Sequence, residues 1–157
     1  MKFELVIYKC AQCGNTFKAA AIGSGSYGEF LLRSEGEGVE AYLDALSDKT
    51  YDEVDKLLEA HPMLVGMSAF KRAEILRSVY GAIACDPDQH GNSYVIDGHP
   101  RCPTCGSREI ESWEFTDPIE FVELDIPPVT HQLWNSLSDE EKINRVGQYL
   151  HALQISK

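Results

Sequence analysis

Two stretches of the sequence decide the fold: Tyr8-Lys9-Cys10-Ala11-Gln12-Cys13-Gly14 and Arg101-Cys102-Pro103-Thr104-Cys105-Gly106. In each, two residues separate a pair of cysteines and a glycine follows the second cysteine directly. This spacing lets the chain turn back so that both sulfurs face one ion, and glycine adopts the backbone conformation at the exit of the turn without steric cost. We call residues 10–14 the first knuckle and residues 102–106 the second knuckle, and we interpret both as metal-binding turns.

The use of cysteine supports a metal site over a set of disulfides. The chain has five cysteines, and Cys85 lies outside both pairs. Glu4 and Lys9 interrupt the apolar N-terminal residues too early for the core of a signal peptide, and no apolar run approaches the roughly 20 residues that span a bilayer. We therefore expect a cytoplasmic protein with reduced thiols and no membrane association, in which Cys85 is a small buried apolar residue.

The two motifs resemble the paired knuckles of zinc-ribbon and rubredoxin-like domains, over the knuckles and their flanking strands. The resemblance implies a closed tetrahedral site for one structural Zn²⁺ per chain, with these ligands: Cys10, Cys13, Cys102 and Cys105. Iron in a rubredoxin-type site uses the same four thiolates, so iron remains an alternative.

The spacing between the knuckles departs from a compact ribbon, because residues 14–101 stand where such a domain has a short loop. Lengthening a loop costs only about 0.6 kcal/mol per doubling. A structural zinc site supplies on the order of 10 kcal/mol. The insertion therefore does not argue against metal binding.

Two alternatives to a metal site concern the same cysteines, and a different segment partly matches a calcium-binding loop. A thioredoxin-like redox couple needs a helix that starts at the first cysteine, whereas both knuckles read as turns into strands. Chance does not readily explain two cysteine pairs of the same spacing, each followed directly by its own glycine. The segment from Asp86 to Asp97 partly matches a calcium loop, but its fifth position is His90 and no helix follows it.

Hydrophobic patterning predicts an α+β fold: a zinc-ribbon-like antiparallel sheet, a long and mainly helical insertion, and a C-terminal helix. We predict a single domain over 1–157, with the ribbon formed by 1–22 and 93–126, an inserted segment at 23–92 and a C-terminal helical segment at 127–157. About five or six strands around the metal would form one sheet. The predicted core residues of its second half are Ile110, Trp113, Phe115, Phe121 and Leu124.

The helices are predicted from capping residues and apolar periodicity. Thr50 to Glu53 and Ser138 to Glu141 are capping-box sequences, and each precedes an apolar stripe. Apolar residues also recur at helical spacing from Ala69 to Ile83. Residues 39–46 fit a helix and a strand equally well. The last helix, with Trp134 nearby, either covers the sheet or docks a partner.

Charge and motifs bear on function. The chain has 14 basic and 25 acidic residues, for a net charge of −11; residues 29–59 hold ten acids against three bases, and residues 109–125 hold seven acids and no base. No phosphate-binding loop, nucleophile elbow or catalytic zinc motif is present. We therefore predict a non-enzymatic interaction module for another protein, one with a basic surface, and we do not expect nucleic-acid binding.

Two alternative functions remain open. The first is a nucleic-acid-binding zinc ribbon that uses the basic residues near the knuckles: Lys2, Lys9, Lys18, Arg101 and Arg108. The second is a rubredoxin-like iron protein that carries electrons.

Overall fold

The computed structural model describes residues 1–23, 26–36 and 39–155. Its strands are β1 (Lys2–Cys10), β2 (Thr16–Ala21), β3 (Glu29–Ser34), β4 (Glu40–Asp44), β5 (Tyr94–Ile96), β6 (Ile110–Phe115) and β7 (Phe121–Glu123). Its helices are α1 (Lys49–Ala60), α2 (Ala69–Ala84), α3 (Gln132–Asn135) and α4 (Asp139–Ile155), with a 3₁₀ turn at Pro62–Leu64 between the first two. The predicted α+β class is confirmed.

The ribbon sheet has β1 at its centre, and the first knuckle connects β1 to β2. Both β2 and β6 pair antiparallel with β1, so that Tyr8 lies between Phe17 on one side and Trp113 on the other. The short β7 pairs with the beginning of β1, where Phe3 lies opposite Val122. Because β2 occupies the other side of β1, β6 and β7 follow one another along the outer edge of this sheet.

The central sheet is separate and has the order β4-β3-β5. The prediction of one sheet of five or six strands is therefore wrong: β5 pairs with β3, with Ile96 opposite Leu32, and does not enter the ribbon sheet. The physical reason lies in β3, which is buried on both faces. Leu31 packs with Phe3 and Ala20 of the ribbon sheet, whereas Leu32 belongs to the core beneath the helices.

The helices cover the other face of the central sheet and contribute most of the larger core. The predicted stripe on α2 is confirmed in its second half, where Leu76, Tyr80 and Ile83 are buried, whereas Ala69 and Ala73 in its first half are exposed. The segment 39–46, for which helix and strand fitted equally well, contains β4. None of the helices in the described ranges is long and apolar enough to cross a membrane.

Of the two predicted capping boxes, the one at α4 is present and the one at α1 is replaced by a different cap. At α4, the Glu141 backbone N–H donates to the Ser138 hydroxyl at 3.2 Å and the Ser138 N–H donates to the Glu141 carboxylate at 2.9 Å, as a capping box requires. At α1 the cap is Asp48, whose carboxylate accepts from the Thr50 N–H at 2.9 Å. The helix therefore starts before the predicted Thr50 cap.

Two of the predicted core residues are exposed instead. Trp113 on β6 keeps 56% of its surface exposed, and Phe121 on β7 keeps 52%. Alternation predicts which side chains share a face of a strand, but it does not show whether another layer covers that face. Trp134 is buried in the helical core and donates from Nε1 to the Glu53 carboxylate at 2.6 Å, so its ring is not a docking surface.

Candidate metal centre

The two knuckles meet at the end of the ribbon sheet and bring four sulfur atoms together. The Sγ atoms of Cys10 and Cys105 are 3.5 Å apart, and those of Cys13 and Cys102 are 3.6 Å apart. All four Sγ atoms lie within 4.8 Å of one another. A tetrahedral ion with metal–sulfur bonds of about 2.3 Å separates its sulfurs by about 3.8 Å. The cluster therefore has the dimensions of a four-cysteine metal site.

The knuckles share one backbone geometry. The Gly14 N–H donates to the Cys10 carbonyl at 3.0 Å, and the Gly106 N–H donates to the Cys102 carbonyl at 2.8 Å. Gly14 has φ of 78° and Gly106 has φ of 77°. Among the described residues, a Cβ added at either glycine would meet no atom within 4 Å, so the requirement for glycine is conformational and not steric.

Backbone N–H groups favour a charge on the first sulfur of each knuckle. The N–H of Cys13 points at the Cys10 sulfur at 3.5 Å and lowers the pKa of Cys10. The N–H of Cys105 similarly lowers the pKa of Cys102 to about 6.

The second sulfur of each knuckle has the opposite shift. The Ser107 N–H lowers the pKa of Cys105, but desolvation and the neighbouring sulfurs outweigh it and raise that pKa to about 12. The pKa of Cys13 is also raised, because desolvation and the Cys102 and Cys10 sulfurs outweigh the Asn15 N–H. Four adjacent thiolates therefore need a cation among them.

The fifth cysteine lies elsewhere. Cys85 is buried at the end of α2, in the core beneath the helices, and burial raises the pKa of its thiol. It is not among the four clustered residues. Its position agrees with the predicted role of a small apolar side chain.

The basic residues near the knuckles make contacts within the protein. Lys9 pairs with Glu111 at 2.9 Å and Lys18 pairs with Glu120 at 2.8 Å. The remaining contacts are Lys2 over the Phe121 ring, Arg101 Nε with the Gly36 carbonyl at 2.8 Å, and Arg108 Nη2 with the Ser34 and Gly36 carbonyls. The two arginines thereby attach the second knuckle to the turn that follows β3.

Two of the three acidic residues of the partial calcium motif, Asp86 and Asp88, accept hydrogen bonds from backbone N–H groups. The Asp86 carboxylate accepts from the N–H groups of Gln132 and Leu133 at the start of α3, both at 2.9 Å. Asp88 Oδ1 accepts from the N–H groups of His90 and Asn92 in its own loop. Over the described ranges, the four cysteines are the only side-chain group with metal-ligand geometry.

A buried polar cluster was not foreseen from the sequence. Asp48 Oδ2 lies 2.8 Å from His131 Nε2 and accepts from the Tyr80 hydroxyl at 2.9 Å, while His131 Nδ1 lies 2.8 Å from the Ala84 carbonyl. These residues are far apart in the chain and form no motif, so no sequence signal would have found them.

Comparison of the chain with protein-family models, curated proteins and solved structures found no match. What the protein does is therefore inferred from its own residues, of which the four clustered cysteines carry the clearest chemistry.

Proposed function

We propose that the four clustered cysteines bind one Zn²⁺ per chain and that this ion has a structural role. The support is the agreement between their Sγ spacing and a tetrahedral thiolate shell. Four thiolates fill that shell and leave no coordination position for a substrate or water. We therefore infer a non-enzymatic protein.

The structural role is inferred because the ion would link the two knuckles, which lie far apart in the chain. The first knuckle ends β1 and the second leads into β6, and the whole insertion lies between them in the chain. Zinc binding supplies on the order of 10 kcal/mol, which is comparable to the whole stability of a typical domain, about 5–15 kcal/mol. We propose a single domain in which the ribbon takes its residues from 1–22 and 93–126, with the exception of β5, which belongs to the central sheet.

We further infer that the protein binds another protein with a basic surface. The net charge of −11 favours such a partner and opposes contact with polyanions. Each of the five basic residues near the knuckles already has a contact within the protein, with a carboxylate, a carbonyl or an aromatic ring. This arrangement favours an interaction module over a nucleic-acid-binding ribbon.

Elemental analysis of purified protein and of a ligand variant tests the metal centre. We expect one zinc per chain, and we expect Cys102→Ser to lose the ion and melt at a lower temperature, because serine is a poor fourth donor. Cys85→Ser is the matched control and retains one zinc. A red, redox-active protein that contains iron would favour the electron carrier. A metal-free Cys102→Ser protein with unchanged melting would contradict the structural role.

A further inference from the structure

A cleft of about 340 Å³ lies between the ribbon sheet and the central sheet. Its ribbon wall includes Tyr8, Trp113 and Phe115, and Glu29 and Asp97 are among the residues that line the opposite wall. The Trp113 ring stands edge-on to Phe115, with centroids 5.8 Å apart, and more than half of its surface is exposed. The cleft therefore opens beside β6, the outer strand of the ribbon sheet.

The free edge of β6 is strongly acidic. In the described part of the chain, β6 pairs with β1 on one side and with no strand on the other. Residues 109–125 carry seven acidic residues and no base. Glu111 has an ion pair with Lys9, whereas Glu109 and Glu114 have no basic group within 4 Å among the described residues.

Protection of the β6 edge against strand pairing between copies explains some of its acidic residues, but it does not explain the exposed Trp113 ring. Charged side chains on an edge strand prevent it from pairing with another copy of the same chain, because two acidic edges repel one another. A second copy is therefore a poor occupant. An exposed tryptophan contributes nothing to this protection, yet its face attracts a cation within about 6 Å.

The charge of the cleft also favours a cation. Glu29 and Asp97 are both acidic, and the Glu29 carboxylate accepts a hydrogen bond from the Tyr42 hydroxyl. The guanidinium of Arg33, which also lines the cleft, is already bonded within the protein. Its side chain is only 8% exposed, donates to the Gly98 and Ala20 carbonyls at 2.7 and 2.6 Å, and has Glu40 beside it at 3.5 Å.

We propose that an extended segment of a basic partner protein adds to the free edge of β6 and places a lysine or arginine side chain in the cleft, against Trp113 and near Asp97. Main-chain hydrogen bonds to β6 would hold the segment, and alternate side chains would face the cleft. The proposal rests on the interaction role inferred above and assigns it to one surface.

The test uses zinc-loaded protein and two defined peptides, five repeats of Lys-Thr and five repeats of Glu-Thr. We expect the lysine peptide to shift the amide resonances of residues 110–115 and to change Trp113 fluorescence, while the acidic peptide does neither. Trp113→Ala and Asp97→Asn each weaken binding about fivefold, as expected for one cation–π or ionic contact. Asn suits position 97 because it tolerates the positive φ of 60° found there.

The matched control is Phe70→Ala on α2, which removes a side chain that is 71% exposed and does not line the cleft. It leaves the binding of the lysine peptide unchanged. Shifts that map to residues 40–59, or an affinity for the lysine peptide that Trp113→Ala leaves unchanged, would overturn this site but leave the interaction role standing. No response to the lysine peptide anywhere in the protein would contradict both.

Discussion

At the scale of single residues, the charge of His131 contributes to the stability of the fold. Both of its ring nitrogens lie 2.8 Å from an acceptor, the Ala84 carbonyl at Nδ1 and the Asp48 carboxylate at Nε2. An imidazole donates from both nitrogens only when it is protonated. Tyr80 and Asp86 also face this pair. The folded protein therefore favours the positive form of His131.

This charge predicts a pH dependence of stability. Burial lowers the pKa of His131, but the Asp48 carboxylate and the Ala84 carbonyl outweigh burial and raise it. The resulting stabilisation is complete below the ordinary histidine pKa of about 6.5 and is lost as the pH rises through the higher folded value. Urea unfolding of zinc-saturated protein from about pH 6 to about pH 8 should show this loss.

His131→Gln is the control for that measurement. Glutamine cannot take a positive charge. We therefore expect the free energy of unfolding of this variant to lack the decrease with rising pH that His131 causes in the unchanged protein. Because the four-cysteine site is the same in both proteins, its own pH dependence cancels in the difference between them. Parallel pH profiles for the two proteins would contradict the assignment.

At the scale of elements, the contact between α2 and β5 depends on a glycine. A Cβ added at Gly81 would lie 1.9 Å from the Tyr94 carbonyl oxygen and 2.7 Å from its carbon, and these backbone atoms cannot rotate away. We expect Gly81→Ala to lower the free energy of unfolding by about 2 kcal/mol or more, because β5 must move away from the helix. Urea denaturation measures the change.

Gly147 on α4 provides the matched control. A Cβ there would meet only His61 Nε2, at 3.5 Å, which is ordinary van der Waals contact. Alanine is favoured over glycine in a helix interior by up to about 1 kcal/mol, so Gly147→Ala should stabilise the protein. If both alanine variants changed stability in the same direction, the close approach of α2 to β5 would not be the cause.

At the scale of the whole molecule, net charge predicts how the protein meets nucleic acid. We expect no useful affinity for single-stranded or duplex oligonucleotides at about 150 mM salt, because binding strength rises with the number of phosphates neutralised and the available cations are few. Fluorescence anisotropy measures this. Sub-micromolar binding that Lys9→Glu or Arg101→Glu weakens would instead support a nucleic-acid-binding ribbon.

The metal cluster and the helices could be predicted from sequence because their signals are local. Two residues between cysteines set each knuckle, and Ser138 caps α4 through contacts within one turn. Strand pairing depends on residues that are distant in the chain. The sequence of β5 does not by itself indicate that β3 is its partner. The exposure of Trp113 was missed for the same reason, since it depends on which layer lies over β6.

The order of synthesis gives the link between the second knuckle and β3 a further meaning. A growing chain cannot complete the four-sulfur cluster until residue 105 has been made. By then, the residues of α1, α2 and the turn after β3 have already been synthesised. Arg101 and Arg108 bind carbonyls of that turn, at Ser34 and Gly36. The two arginines that flank the last two sulfurs therefore take their partner carbonyls from a part of the chain that is synthesised before them.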